Sequence, residues 1–319
     1  SGLTITTGGD LTVSGNFSSD STLEIAGGDL QVNGNLTLGS TSTLKVGLGG
    51  TMVGAYDQVS VGGTANLDGT IEIVHESFTP TVLDNFSSIV TSTGALSGNF
   101  NTITAPSGFR YDVNINSNSF DLTYGRAITL TTDDISKTYG DANPAFTVTV
   151  SGDGLFDGDQ VSDLSGLNYS TTAVVTSDVG NYTVTPQGVT APDYYSITYA
   201  AGTLTIDPRA LTISGITAAN KVYDGTTAAT INVAGVVYTG LVGGDDVTVS
   251  ASGTFSDKNV GTGQTVTLSS SYSGVDVGNY SITNQATAPV SYTHLRAHET
   301  ADVISYDVFC LKRGGGGGG

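Results

Sequence analysis

GGDLTVSGN at positions 8–16 returns as GGDLQVNGN at positions 27–35, with seven of nine residues unchanged. Short alternating runs such as Leu23-Glu24-Ile25 and Leu36-Thr37-Leu38 lie between and after the two copies, and Gly, Ser, Asn or Asp closes each run. Short strands that repeat in one direction about every 20 residues are typical of a solenoid, in which each coil buries its apolar residues on the next coil. The sequence therefore predicts an all-β fold that begins with a right-handed parallel β-helix.

A β-sandwich whose hairpins happen to resemble each other is the alternative for this region. The repeat lacks two-residue hairpin turns at the places where a sandwich would need them, which favours the solenoid. Beyond Gly54 the period becomes less regular, although residues 56–80 keep the alternation of strands. Because a terminal coil needs a cover, we assign 56–124 to the last coils and a cap. The bulky residues expected to build the cap are Phe78, Phe86, Phe100, Phe109 and Phe120.

A second repeat lies downstream and predicts two small β modules in tandem. Lys137-Thr-Tyr139-Gly140-Asp141 leads to VGNY at 179–182, and Lys221-Val-Tyr223-Asp224-Gly225 leads to VGNY at 277–280. Each module is expected to be an immunoglobulin-like sandwich or a smaller β-grasp-like sheet. A proline at position 208 marks the joint, since proline cannot donate to a strand ladder. The predicted domains are residues 1–126, 127–207 and 208–289, followed by a tail at 290–319.

Composition limits the classes of partner. The 319 residues carry a formal net charge of -19, with 25 Asp against 4 Glu. Asp favours turns whereas Glu is a good helix former, so the acidity indicates turn chemistry in a β protein. An acidic chain is repelled by nucleic acid and by anionic membranes, and no apolar run approaches the roughly 18 residues that span a bilayer. We expect neither a nucleic-acid partner nor a membrane span in this fragment.

The two ends of the sequence differ from the body. The chain begins Ser1-Gly2-Leu3 without a leader, so we expect an internal fragment of a longer protein. From Val290 onward the composition changes, and the only cysteine, Cys310, lies there. The segment SYTHLRAHET at 291–300 resembles translated sequencing-adapter read-through, and the glycine run at 314–319 resembles a base-calling artefact. The tail is therefore predicted to be non-native or disordered.

Histidines supply no convincing site. His294 and His298 are four residues apart, near Glu299 and Cys310, as metal ligands on one helical face would be. The order HLRAHE lacks the Glu that zinc proteases place directly after the first His. His75, beside Glu76, lies in an alternating strand and is interpreted as a strand-surface residue, because no Gly-x-Ser-x-Gly elbow supplies a nucleophile.

Acidic residues are numerous but their spacing favours turns. The loop at 151–163 contains four Asp residues, and hard cations such as calcium bind clustered carboxylates. Leu155 occupies a position where an EF-hand needs an oxygen, and no Glu closes the loop, so we favour turn chemistry. Asp133-Asp134 and Asp245-Asp246 predict no acid–base role, because proximity in sequence does not shift a pKa. The four loop residues are Asp153, Asp157, Asp159 and Asp163.

Tyrosines could form a glycan-binding strip. Tyr195, Ile197 and Tyr199 share one face of a predicted strand, and Tyr194 lies on the other. We favour packing in the module core for the first set. Tyr182 and Tyr280, which recur in VGNY, are interpreted as residues that anchor each module. The sequence thus predicts no catalytic, cofactor-binding or metal-ligating residue, and no cofactor.

Three segments resemble known families. The run from 56–59 through 69–71 and 78–80 to 98–100 is similar to the end of the β-helical passenger in autotransporter and filamentous-haemagglutinin-type adhesins. KTYGDANPAF at 137–146, through GTLTI at 202–206, resembles an MBG-type domain of the YGX kind. ALTISGITAANKVYDGTTAAT at 210–230, through VGNYSIT at 277–283, resembles a YDG-type domain.

These resemblances imply a segment of a large bacterial surface protein that acts as a stalk with display modules. They imply secretion through an outer-membrane pore, by an autotransporter or two-partner route, and surface glycans or proteins as partners. One alternative is a β-helical polysaccharide lyase or hydrolase, which needs a cleft of cations with carboxylates, although residues 1–126 contain only Lys45, Arg110 and Arg126. A calcium-rigidified extracellular linker is the other alternative.

Overall fold

A computed structural model describes residues 3–5, 10–25, 27–259 and 263–290. The predicted artefact from 291 onward, with His294, His298, Glu299 and Cys310, lies outside the described residues. The chain forms two compact units. The first comprises residues 1–135, 144–173 and 181–205, and the second comprises residues 136–143, 174–180 and those from 206 onward.

The first unit begins with a solenoid in which each coil contributes one strand to each of three sheets. Neighbouring coils pair in parallel, so Leu23 lies beside Leu44 and Leu44 beside Ile71. This parallel stacking confirms the predicted β-helix and excludes a sandwich of hairpins there. Coil by coil, the strands are β1 (Leu3–Ile5), β2 (Leu11–Val13) and β3 (Phe17–Ser19); β4 (Thr22–Ile25), β5 (Leu30–Val32) and β6 (Leu36–Leu38); β7 (Thr43–Leu48), β8 (Val59–Val61) and β9 (Ala65–Leu67); β10 (Thr70–His75), β11 (Asn85–Ser92) and β12 (Leu96–Gly98); and β13 (Thr102–Thr104).

Coil length grows along the solenoid while the register continues. Bonded residues on adjacent coils are 19 positions apart for Asn16 and Asn35, 29 apart for Asn35 and Thr64, and 31 apart for Asn66 and Ser97. The additional residues lie in loops between β7 and β8 and between β10 and β11. The period therefore becomes irregular beyond Gly54 because loops lengthen, and the strand ladder persists to Thr104.

Alternate side chains of each strand point inward and form one aliphatic core. Leu23, Leu44 and Ile71 are completely buried, and stacked residues from the other two sheets surround them. Full burial of one such side chain contributes roughly 1.5–3 kcal/mol. Because every coil repeats this pattern, stability is distributed along the solenoid and depends on contacts between neighbouring coils.

An antiparallel hairpin covers the last coil. Strand β15 (Ser119–Tyr124) pairs antiparallel with β11 and with β14 (Tyr111–Ile115). Phe86 and Phe120 are fully buried, and the rings of Phe100 and Phe120 meet edge to face at 5.1 Å. Phe78 and Phe109 pack partly buried against the same core. Three of the five phenylalanines expected at the cap therefore lie in the core of this end of the solenoid, and the other two pack against that core.

The first module is built from strands after the cap. Its first strand lies between an antiparallel and a parallel neighbour, in the order β18, β16, β21. In another sheet β19, β20 and β22 are neighbours. A single 3₁₀ turn covers Val161–Asp163. The strands are β16 (Arg126–Thr132), β17 (Ile135–Thr138), β18 (Val148–Gly152), β19 (Asn168–Ser170), β20 (Gly180–Gln187), β21 (Tyr195–Ala200) and β22 (Gly202–Asp207).

The second module repeats that arrangement. Its first strand lies between an antiparallel and a parallel neighbour, in the order β27, β23, β30. The order β25, β28, β29, β31 forms a second sheet, β24 pairs with β26, and a 3₁₀ turn covers Val277–Asn279. Because the strands of each module are divided over several sheets, the modules resemble a sandwich more than a single β-grasp-like sheet. The strands are β23 (Arg209–Ser214), β24 (Thr217–Ala218), β25 (Ala228–Ala229), β26 (Ile231–Asn232), β27 (Val237–Thr239), β28 (Thr248–Phe255), β29 (Thr265–Ser273), β30 (Tyr280–Thr283) and β31 (Thr287–Pro289).

Candidate functional site

Polar side chains at the corners of the solenoid bind the backbone of the following coil. Asp10 Oδ1 accepts a hydrogen bond from Asp29 N at 3.2 Å, and Asp29 Oδ1 accepts one from Gln58 N at 3.0 Å. At the opposite end of the same strands, Asn16 Oδ1 accepts from Asn35 N at 2.9 Å. We call these contacts coil clamps. The Asp and Asn of the repeated GGDLxVxGN stretch thus have a structural role, which their separation by one coil length could have revealed.

Asp57 makes a related, buried contact in the reverse direction, to the backbone of the preceding coil. It is 2 % exposed, and its carboxylate accepts hydrogen bonds from Gly47 N at 2.8 Å, Gly27 N at 3.1 Å and Gly28 N at 3.2 Å. Burial raises the pKa of Asp57 to about 6; the charge of Glu76 adds to the rise, whereas the backbone N–H groups oppose it. A Cβ at Gly47 would lie 2.2 Å from Glu76 Oε1 and 3.1 Å from Asp57 Oδ2, so a larger residue there would displace the Glu76 side chain.

A raised carboxyl pKa beside a second carboxylate is a feature of acid–base catalysts. The hollow next to Asp57 has a volume of about 230 Å³, and its lining includes Asp10, Asp29 and Tyr56. Asp57 Oδ1 accepts backbone hydrogen bonds from the second coil, and Oδ2 accepts one from β7 of its own coil. The arrangement therefore serves the loop between β7 and β8 as a structural anchor.

The three cations of residues 1–126 each form an ion pair. Lys45 Nζ lies 3.1 Å from Glu24 Oε1 and 3.7 Å from Glu72 Oε1, which belong to the adjacent coils of the same sheet. Arg110 pairs with Asp159 at 2.5 Å and Arg126 with Asp112 at 2.8 Å. Lys45 lies on the flank of the solenoid, apart from the other two, whereas Arg110 and Arg126 both line one groove and are each paired with a carboxylate.

The cap passes directly into the first module. Gly125 alone separates β15 from β16, with φ of +77°, and a Cβ there would lie 2.4 Å from Tyr194 O. The guanidinium groups of Arg110 and Arg126 lie 4.6 and 4.3 Å from the centre of the Phe156 ring. Such contacts contribute about 0.5–2 kcal/mol each. Together with the two ion pairs, they join the cap to the module without a flexible linker.

A groove of about 490 Å³ lies beside this joint, and its lining includes Asn99, Phe109 and Tyr111. His75 is next to it, with Nε2 2.7 Å from the Tyr111 hydroxyl and its ring edge to face with Phe109 at 4.4 Å. Burial lowers the pKa of His75. His75 therefore lies in strand β10, as interpreted from the sequence, and its half-buried side chain is partly covered by residues of the cap.

Each module contains a tyrosine bonded to an aspartate and to a backbone amide. The Tyr195 hydroxyl donates to Asp159 Oδ2 at 2.6 Å and accepts from Phe156 N at 2.8 Å. In the second module the Tyr280 hydroxyl donates to Asp245 Oδ2 and accepts from Val242 N at 2.9 Å. Burial, followed by the bond to the aspartate, raises the pKa of both tyrosines to about 12. We call these contacts Tyr–Asp clamps.

The two clamps correct an expectation from the sequence. Tyr195 stands opposite Arg126 in the parallel pair of β16 and β21, and Tyr280 stands opposite Arg209 in the parallel pair of β23 and β30. Tyr280 is therefore the structural counterpart of Tyr195, and Tyr182 belongs to a different strand. The sequence YSIT, which occurs at 195–198 and at 280–283, aligns these two tyrosines correctly. The repeated VGNY motif instead aligns Tyr280 with Tyr182.

The remaining tyrosines of the predicted strip do not form one surface. Tyr195 lies in the core, as expected, whereas Tyr199 is 36 % exposed and its hydroxyl accepts a hydrogen bond from Val189 N at 3.0 Å. Tyr194 packs edge to face on Phe156 at 5.7 Å. Tyr199 was therefore wrongly expected to be a core residue.

Carboxylates of the acidic loop bind other parts of the protein. Asp153 Oδ2 accepts from Ala127 N at 2.8 Å and Asp163 Oδ2 from Gln160 N at 2.7 Å, while Asp159 binds Arg110 and Tyr195. Asp133 accepts from two threonine hydroxyls, which lower its pKa. Among residues 10–25, 27–259 and 263–290, no group of three or more His, Cys, Asp or Glu side chains is placed to bind a metal. These contacts support the turn interpretation of the loop.

Residues of both repeated motifs meet within the second unit. Arg209 Nη1 donates to Asp141 Oδ1 at 3.0 Å and to Tyr139 O at 3.1 Å. The rings of Tyr139 and Tyr280 meet edge to face at 5.6 Å. Asn279 binds Asp178 and Val179, both at 2.9 Å. The motifs therefore form a joint between successive modules, a role that single-module interpretations of them missed.

Comparison with protein families identifies both modules. Residues 128–205 match the MBG domain of the YGX type, and residues 207–288 match the YDG domain. The chain contains an MBG domain and a YDG domain. No curated protein and no solved structure gave a match. The Tyr195 clamp thus belongs to the MBG domain and the Tyr280 clamp to the YDG domain, and in the described part of the chain no helix has the length and hydropathy to span a membrane.

Proposed function

We propose that this chain is a stalk segment of a secreted bacterial surface protein. In this proposal the β-helix makes the stalk stiff, and the MBG and YDG domains lengthen the stalk and act as its display modules. MBG and YDG domains fit a surface-associated structural or adhesive role. The proposal includes the adhesin class, export through an outer-membrane pore and a surface glycan or protein as partner. It also includes domain boundaries at 126/127 and 207/208.

One observation carries the proposal: the β-helix continues into the MBG domain across a single glycine, braced by Arg110 and Arg126 on Phe156. A flexible linker would absorb an applied displacement by chain extension. A joint of ion pairs, stacked rings and continuous strands resists bending, since moving it would break several contacts together.

Distance measurements between spin labels test the stiffness. In a background with Cys310→Ser, we place labels at exposed Ser14 in the β-helix and exposed Ser151 in the MBG domain. The expected distance distribution is as narrow as that of a control pair at Ser14 and Asn114, both within residues 1–126. Insertion of four Gly-Ser residues after Gly125 should broaden only the first distribution. A broad distribution in the uninterrupted chain would contradict the stalk.

Cleavage assays test the enzymatic alternative. Incubation of the full chain with a panel of acidic polysaccharides should leave the polymers intact, because Arg110, Arg126 and Lys45 are engaged in ion pairs. Bond cleavage that persists through purification and disappears in an Asp57→Asn variant would replace the stalk proposal with a hydrolase or lyase.

Calcium titration tests the linker alternative. The proposal predicts no change of melting temperature at millimolar calcium, since the acidic loop already binds Ala127, Arg110 and Tyr195. A rise that a chelator reverses would show that calcium stiffens the chain.

A further inference from the structure

The two modules begin in the same way. Arg126 is the first residue of β16 and Arg209 the first of β23, and each faces a clamped tyrosine in the parallel neighbour. Each arginine binds one carboxylate and one backbone carbonyl: Arg126 binds Asp112 and Leu155 O, and Arg209 binds Asp141 and Tyr139 O. We call them entry arginines. In both cases the carboxylate belongs to the preceding segment, whereas the carbonyl belongs to the preceding segment only for Arg209, since Leu155 lies in the same module as Arg126.

The receiving surface for Arg209 is the KTYGD segment at 137–141. Tyr139 N donates to Asp207 O at 2.9 Å, so this segment pairs with the chain that leads into β23. Its ring contacts Tyr280 of the YDG domain and is only 2 % exposed. Lys137 Nζ fixes the turn from inside by donating to Asp141 O at 3.0 Å and Val174 O at 2.8 Å.

The YDG domain contains the same element in KVYDG at 221–225. Lys221 Nζ again fixes the turn, donating to Thr226 O at 3.1 Å and Ala228 O at 2.8 Å. The strand before it, β24, lies beside β31, the last described strand of the domain. Here, however, the tyrosine is uncovered: Tyr223 is 49 % exposed and Val222 is 73 % exposed.

We infer that Val222, Tyr223 and Asp224 form a docking surface for the entry strand of a further β module of the MBG or YDG kind. Two features support this occupant over others. The Tyr223 carbonyl stands at the same motif position as the Tyr139 carbonyl that Arg209 uses, and Asp224 supplies a carboxylate one residue after the tyrosine, where the first motif has Asp141 two residues after it. The Tyr223 ring supplies the apolar area that a clamped tyrosine covers in the joint between the MBG and YDG domains.

The Asp224 carboxylate carries the negative charge that an arginine partner requires. Lys221 Nζ at 2.9 Å and both donors of Thr226 use Asp224 Oδ1. Lys221, followed by the backbone amide of Thr226, lowers the pKa of Asp224 to about 2, so the group is charged at neutral pH. A charged acceptor next to a planar carbonyl suits the forked geometry of a guanidinium better than a lysine ammonium. The inference rests on the proposed stalk only in that a stalk is extended by added modules.

Chemical modification of Tyr223 tests the docking. In the reference chain, tetranitromethane should nitrate Tyr223 readily and Tyr139 slowly, as their exposures predict. The extended chain carries residues 1–290 followed by a second copy of residues 207–290. In that second copy Tyr223→Phe ensures that nitration at the motif reports on the first copy alone. We expect a several-fold fall in nitration of Tyr223, toward the rate of Tyr139.

Matched variants separate docking from other causes of protection. Arg209→Ala in the second copy should restore most of the reactivity of Tyr223, because the entry arginine is lost while the chain length is unchanged. Unchanged reactivity in the extended chain, or protection indifferent to Arg209→Ala, would overturn the inference. Protection obtained by raising the concentration of the reference chain would also overturn it, in favour of pairing between two copies.

Folding of the added copy has its own readout. Slow nitration of Tyr280, which is 7 % exposed, shows that both copies have folded. If the second copy does not fold, a copy of residues 126–207 offers the equivalent entry arginine, Arg126, and the same outcomes apply. The result is independent of the spin-label distances, which concern residues 14–151, so either proposal can fail while the other stands.

Discussion

The β-helix and the YDG domain are stabilised by different kinds of contact. In the β-helix, every coil repeats the same inward aliphatic residues, and several coils carry an Asp or Asn that binds the backbone of the next coil. In the YDG domain, one tyrosine is bonded to Asp245 and Val242, and one entry arginine joins the preceding segment. The first strategy distributes stability over many equivalent contacts, whereas the second concentrates it at a few. Single substitutions should therefore have effects that spread in the solenoid and remain local in the module.

Core truncation should give the largest effect and test the spreading directly. Leu44→Ala in the solenoid and Leu211→Ala in the YDG domain both remove completely buried side chains, at a cost of about 2–5 kcal/mol each. Hydrogen exchange should show weakened protection in β4 and β10 as well as β7 for Leu44→Ala. For Leu211→Ala the loss should stay within residues 206–290. Loss confined to β7 would contradict the distributed picture, and Thr37→Ala on an exposed position serves as the control.

Removing one hydroxyl should test the concentrated strategy. Tyr280→Phe leaves the Val242 amide without its acceptor and removes one of the two tyrosine hydroxyls that bind the Asp245 carboxylate, so we expect a loss of about 1–3 kcal/mol in the unfolding free energy of the YDG domain. Tyr195→Phe should act similarly in the MBG domain. Tyr272→Phe is the matched control, because the buried Tyr272 hydroxyl has no partner among the described residues. Equal losses of unfolding free energy in Tyr280→Phe and Tyr272→Phe would show that the Tyr–Asp clamp does not stabilise the YDG domain.

The buried carboxylate of Asp57 should give the solenoid a pH dependence of opposite sign to that of the modules. Its pKa is raised from 3.8 to about 6, so the folded state binds the proton more tightly than the unfolded state, and stability falls as pH rises from about 4 to about 6. Asp133 and Asp224 have lowered pKa values and stabilise the folded state above their ordinary range. Hydrogen exchange of β4 and β7 at several pH values measures the effect, which Asp57→Asn should flatten. Greater protection of β7 at pH 7 than at pH 4 would contradict it.

A single exposed coil clamp should give the smallest effect. Asn35→Ala removes the acceptor for Thr64 N, and because water can replace it, the expected loss is about 0.5–1 kcal/mol. Asn33→Ala, an exposed asparagine two residues earlier, is the control. Urea unfolding followed by tyrosine fluorescence compares the two variants. A larger cost for Asn33→Ala would show that position 35 has no clamping role.

The sequence predicted the elements that repeat and missed the contacts that join them. The spacing of GGDLTVSGN and GGDLQVNGN is sufficient for a parallel solenoid, because only in-register stacking buries Leu11 against Leu30. The phenylalanines of the cap could also be predicted, because these large side chains follow coils that are built from smaller residues. In contrast, the correspondence of Tyr195 with Tyr280 depends on which strand lies beside the first strand of each module, and pairing partners are not encoded in local periodicity. Arg110, Arg126 and Phe156 come together for the same reason, from three separate segments.

The direction of the coil clamps has a consequence for truncation. In the clamps of Asp10, Asn16, Asp29 and Asn35 the side-chain acceptor belongs to the earlier coil and the amide donor to the later coil, whereas Asp57 has the reverse direction. A solenoid shortened from its carboxyl side would leave Asp and Asn side chains that water solvates readily. One shortened from its amino side would instead leave backbone N–H groups at an open end, where water becomes their acceptor. The two ends of the stack are therefore chemically unequal: the carboxyl side presents side-chain acceptors, and the amino side presents backbone donors.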